Sequence, residues 1–76
     1  MVRGKFKLNE VTHVDWNTSA RKLTFSAVSN DGTPENERFH KYTPSGIITM
    51  TVDNPVAVEQ FQIGGEYYVD FSPVQK

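Results

Sequence analysis

The 76-residue chain carries no cysteine, eight Lys plus Arg against nine Asp plus Glu, and a formal net charge of −1. No disulfide or thiolate metal site can form, and without a basic excess, neutralising long phosphate tracts is disfavoured as a way of working. One small domain is expected over 1–76, burying roughly 60% of the surface its unfolded chain exposes, and such a domain without staples gains stability by oligomerising. The opening "MVRGKFKLNE" has no apolar run of signal-peptide length, and nothing approaches a membrane span. A cytoplasmic protein away from membranes is expected, so the Asn17-Thr18-Ser19 sequon carries no meaning.

Along the chain, aromatic and β-branched residues dominate and turn residues recur at short intervals, as in small all-β domains. The first strand is expected over Lys5 to Val14. Phe6 and Leu8 share a face but Val11 has the opposite parity, which points to a bulge near Asn9 and Glu10. "DWNTSARK", Asp15 to Lys22, reads as a hairpin loop. Strand two follows over Lys22 to Ser29, with Leu23, Phe25 and Ala27 alternating against Thr24 and Ser26. "SNDGTPENE", Ser29 to Glu37, reads as a long exposed loop, and Arg38 to Thr43 as a short strand with Phe39 on one face and His40 and Tyr42 on the other.

After Pro44-Ser45-Gly46, Ile47 to Val52 is the fourth strand, its core face formed by Ile48, Met50 and Val52. Asn54 can cap a short helix and Pro55 fits its first position, with Val58 and Phe61 turned to the core and Gly64 or Gly65 closing it. The final strand is "EYYVDF", with Tyr67, Val69 and Phe71 inward and Tyr68 and Asp70 outward. The pattern predicts a mainly β fold: a small five-stranded barrel of the OB or SH3-like type with one short helix before the last strand.

A basic first strand, an Asn-Glu-rich loop before a Phe, a Thr-Pro-Ser-Gly turn, an Asn-Pro helix start and the ending "EYYVDFSP" together resemble a group of short proteins encoded by tailed bacteriophages. The resemblance spans Lys5 to Pro73, and Glu35, Asn36 and Phe39 fit its loop pattern. It implies a phage accessory protein, and nothing in it covers the Trp16 loop.

No catalytic constellation is readable: there is no Ser-His-Asp arrangement, Gly-rich phosphate loop or paired-carboxylate motif. His13 and His40 read as surface strand residues. "NDGTPENE" carries three carboxylates but lacks the alternating oxygen positions and terminal bidentate Glu of a calcium loop. No metal or cofactor is expected. Trp16, at a hairpin tip with Arg21 and Lys22 close in sequence, has two readings, a cap folded over the barrel end or a partner contact. Tyr68, outward on the last strand, is a candidate subunit contact.

The Thr43-Pro44-Ser45-Gly46 step also has two readings. Pro fixes φ and Gly permits positive φ, which suits a tight turn; hydroxyls beside successive amides also suit an anion. Lys41, Tyr42 and Thr49 on adjoining faces complete a candidate ligand surface with Thr43, Ser45 and Gly46, offering stacking and phosphate contacts. The leading expectation is therefore a non-enzymatic, homo-oligomeric binding protein that captures a small nucleotide-like ligand, such as a host immune signal sequestered by a phage. One alternative is a single-stranded nucleic-acid binder using Lys5, Lys7, Arg38 and Lys41. Another is a protein-interaction module or inhibitor of a host factor, using Trp16 and Tyr68.

Overall fold

A computed structural model describes residues 1–75. Strands β1 (Val2–Val14), β2 (Asn17–Ala27), β3 (Ile47–Val52) and β4 (Glu66–Phe71) form one antiparallel sheet in the order β3-β2-β1-β4. Helix α1 (Pro34–Tyr42) connects β2 to β3, and α2 (Pro55–Val58) lies between β3 and β4. The fold is mainly β, as expected. It is not the expected five-stranded barrel: the sheet has four strands, and β3 and β4 remain its two unjoined edges.

The missing strand is α1, which takes up both the expected strand at Arg38–Thr43 and the end of the expected loop. Thr33 stands at the N-cap in an extended conformation and Pro34 occupies the first turn, where its absent N–H costs nothing. Glu35 and Glu37 sit in the first turn and Lys41 in the last, each sign matched to the helix dipole. Upstream, Asp31 accepts from the Thr33 amide at 3.0 Å and orients the entry. Thr43 N–H donates to Phe39 C=O at 2.8 Å and closes the helix. The Thr43–Gly46 segment is thus not a tight turn but a connection leaving the helix. Positive φ occurs at Gly32 and Gly64, not at Gly46. Gly46 is small for another reason: a Cβ there would lie 3.4 Å from the Phe6 ring.

The β1–β2 hairpin is longer than expected, because only Asp15 and Trp16 form its turn. Between the pairs His13–Arg21 and Val14–Asn17, residues Thr18, Ser19 and Ala20 bulge from β2. Arg21 donates to the Thr18 and Ala20 carbonyls at 2.8 Å each, and Asp53 accepts from Asn17 at 2.9 Å and Ser19 at 2.5 Å. Arg21 thus meets carbonyls that the ladder leaves open, the Ser19 amide donates to Asn17 Oδ1, and Asp53 ties the Asn17 and Ser19 side chains together, which is why the stretch looks like a loop in sequence. At the other end the expected bulge is present: pairing steps from Leu8–Phe25 to Glu10–Thr24, leaving Asn9 unpaired. Asn9 donates to Ser26 Oγ at 2.6 Å, and Val11 returns to the core face.

Phe6, Leu8, Leu23 and Phe25 are the buried centre, with Val11, Ala27, Ile48, Val52, Phe61, Tyr67 and Val69 packed around them. Phe25, Phe61 and Tyr67 form an aromatic triangle with centroids 5.3–6.0 Å apart. Asn54 caps α2 as expected, accepting from Val56 and Ala57 N–H at 3.1 and 3.3 Å, and the helix is a single turn of 4 residues. Phe71, expected inward, is 55% exposed because it ends an edge strand opposite Val2. No helix among the described residues is long and apolar enough to cross a membrane.

Candidate functional site

On the sheet face opposite the core, α1 packs over β1 and β4 through polar side chains. Lys5, little exposed, places its ammonium 3.1 Å from Glu35 and 3.3 Å from Glu66. Burial pulls the Lys5 pKa down, but its bonds to Glu35 and Glu66 outweigh this and hold it above the usual value. Tyr68 donates its hydroxyl to Glu35; that bond raises the Tyr68 phenol and, together with the bond from Lys5, keeps the Glu35 carboxyl below its usual value. Asn36, only 2% exposed, donates to Asp31 at 3.0 Å and Glu66 at 3.2 Å, while its Oδ1 is shielded without a partner.

Beside this joint lies a shallow pocket of about 170 Å³, lined by Arg3, Arg38, Phe39, Tyr42 and Thr43. Two elements build it. In α1, Arg38 and Tyr42, and likewise Phe39 and Thr43, are four residues apart and so share one side of the helix. From β1, Arg3 is held by Asp70 at 2.6 and 3.0 Å and stacks 4.9 Å from the Tyr68 ring centroid. This pairing lowers the Asp70 pKa. Arg38 has no ion pair among the described residues. Phe39 packs 6.0 Å from Tyr68, and Tyr42 is 78% exposed with Lys41 Nζ 5.9 Å from its ring centroid.

Of the expected ligand residues, Tyr42 and Thr43 line this pocket and Lys41 adjoins Tyr42. Ser45, Gly46 and Thr49 do not line it. Gly46 serves packing, since its carbonyl accepts from Ala27 N–H at 2.9 Å and its Cα faces Phe6. Thr49 pairs with Thr24 on β3, beyond β2 from the pocket. Arg38, expected only as a nucleic-acid contact, and Phe39 join the pocket because 38–42 is helical rather than extended, for which the spacing from Arg38 to Thr43 was the available signal; Arg3 arrives from β1.

The expected contact residues divide as well. Trp16 does not fold over the sheet and is 77% exposed at the hairpin tip. Arg21 is instead committed to the carbonyls of its own bulge. Tyr68, 51% exposed, is a platform between Arg3, Lys5 and Phe39 rather than a free outward ring. His40 lies in α1, not on a strand, with Nδ1 shielded and unpaired.

Chemically, the pocket combines a free guanidinium, a second one locked in place, two aromatic rings and a hydroxyl. Rings and guanidinium planes stack on a base, and guanidinium forks donate to phosphate oxygens. The C-terminal end of α1 carries partial negative charge, so an anion here depends on Arg38, Arg3 and Lys41 and not on the helix dipole. No family model, curated protein or solved structure matches this chain.

Proposed function

We propose that the protein is a non-enzymatic binding protein that captures a small nucleotide-like anion in the Arg3–Arg38–Phe39–Tyr42–Thr43 pocket. The observation that carries this reading is the free Arg38 guanidinium beside two aromatic rings in one hollow. Its volume of about 170 Å³ suits part of a nucleotide, a base or a phosphate group, with the remainder left to solvent. The resemblance to short tailed-phage proteins supplies the setting: an accessory protein in the host cell that sequesters a host nucleotide signal.

The nucleic-acid alternative loses support from Lys5, whose charge is already met by Glu35 and Glu66. A protein-contact role for the hairpin tip is the second reading, favoured by the exposure of Trp16. A native mass spectrum of the purified protein tests the first. A retained mass corresponding to a mono- or cyclic nucleotide supports capture. A bare chain that stays bare after incubation with adenine and cyclic nucleotides overturns it.

A further inference from the structure

The accessible surface is 5688 Å². A compact monomer of 8.6 kDa is expected to expose about 4,700 Å². The excess, about 1,000 Å², includes a contribution from the trailing residues 72–75. It is nonetheless of the order of one partner's share of a standard interface, about 800 Å². The radius of gyration, 14.0 Å, likewise exceeds the roughly 11 Å of a compact 76-residue domain. The molecule is a slab, 39 × 37 × 19 Å, whose sheet ends in two edge strands, β3 and β4.

One of these edges is β3. Ile47–Val52 reads "IITMTV", with no charge, no proline and no bulge; its pairing with β2 runs unbroken from Ser26–Ile47 to Arg21–Val52. Natural edge strands are usually blunted by a charge, a proline, a bulge or a cover, and β3 has no charge, proline or bulge. Ile47 is 75% exposed and Met50 38%. The other edge is guarded: antiparallel self-pairing of β4 about Tyr68 would set Glu66 against the partner's Asp70, like charge facing like.

We infer that β3 is a subunit interface, pairing antiparallel with β3 of a second copy about a two-fold axis. Facing residues in a ladder share a sheet face, so an axis through Met50 sets Ile48 against the partner's Val52 and Thr49 against the partner's Thr51. Four strands become a continuous eight-stranded sheet. The row Ile48, Met50 and Val52 continues across the contact, beside a hollow of about 330 Å³ that Ile48 and Met50 line with Phe25, Phe61 and the β4 residues from Tyr67 to Asp70. Nothing in this inference depends on the nucleotide pocket, which lies on α1 and β1.

Sedimentation of the wild-type chain and of a Thr49→Lys, Thr51→Lys variant tests it. Both threonines are exposed on the face away from the core; Thr49 lies opposite Thr24, and Thr51 lies opposite Lys22, so a circular-dichroism melt of the variant is run alongside to separate loss of the dimer from loss of the fold. The wild type is expected at twice the 8.6 kDa chain mass, and the variant to dissociate about tenfold more readily because its lysines oppose one another. In a variant-free measurement, hydrogen exchange of the β3 amides should slow as wild-type concentration rises. A wild type that stays monomeric, whether bare or holding a peptide or lipid, overturns the inference. So does a dimer unmoved by the lysines, or β3 exchange independent of concentration.

Discussion

Asn36→Asp probes the joint between α1 and the sheet. The Asn36 amide nitrogen donates to Asp31 at 3.0 Å and to Glu66 at 3.2 Å, and the residue is 2% exposed. An ionised carboxylate in its place would face two carboxylates. At an effective dielectric of 20, each repulsion at that spacing is about 5 kcal/mol. The new side chain escapes by binding a proton, which it can donate to only one of the two carboxylates that the amide serves now. If burial and its neighbours raise its pKa from about 4 to about 7, the loss of stability at neutral pH is about 4 kcal/mol. A chain this short has roughly 4–11 kcal/mol in total, so the variant should be close to unfolding. The sign fixes the pH course. A carboxyl with a raised folded pKa destabilises above its unfolded pKa, and the deficit shrinks as pH falls toward about 4. Urea melts followed by circular dichroism across that range provide the assay. A variant as stable as the wild type at neutral pH, or a deficit that does not shrink on acidification, would refute the reasoning.

The wild type should respond to acid in the opposite direction. Hydrogen bonds from Tyr68 and Lys5 to Glu35, from Thr33 to Asp31, from Ser19 and Asn17 to Asp53, and from Arg3 to Asp70 lower those carboxyl pKa values. Their stabilisation is present above the ordinary carboxylate range and is lost as pH falls through the folded values, so the melting temperature should drop below about pH 4. An acid-independent melting temperature would contradict these pairings. In the core, Leu8→Ala should cost about 2–5 kcal/mol, because Leu8 is fully buried in the four-residue centre. A denaturation midpoint within error of the wild type would mean that the centre lies elsewhere.

Strands with strict alternation were legible from sequence: Ile47–Val52 and Glu66–Phe71 have the expected bounds, and the parity of Val11 located the bulge at Asn9. The helix start at Asn54-Pro55 was readable for the same physical reason. Thr33-Pro34 carries an equivalent signature, but α1 lacks an apolar stripe. It is tied to the sheet by Glu35, Asn36 and Phe39, and contacts between residues this far apart in sequence leave no periodic trace. Once α1 was taken for a strand, a fifth strand and a closed barrel followed. The site was half legible. Tyr42 and Thr43 belong to the pocket, whereas Arg3 reaches it only because β1 pairs with β4 and α1 lies above them. Arg21 looked like a free cation because the bulge it satisfies cannot be read locally.

Capture of a nucleotide-like anion by the Arg38 pocket is tested most directly by titration calorimetry of the wild type and Arg38→Ala against adenine and cyclic nucleotides. Arg38 has no ion pair among the described residues, so its removal should leave the melting temperature unchanged. At least one nucleotide should bind the wild type, with affinity about ten- to a hundredfold weaker in Arg38→Ala, the loss of a charge-assisted hydrogen bond. No heat from any nucleotide at high micromolar protein, or equal affinity in both proteins, would contradict the account.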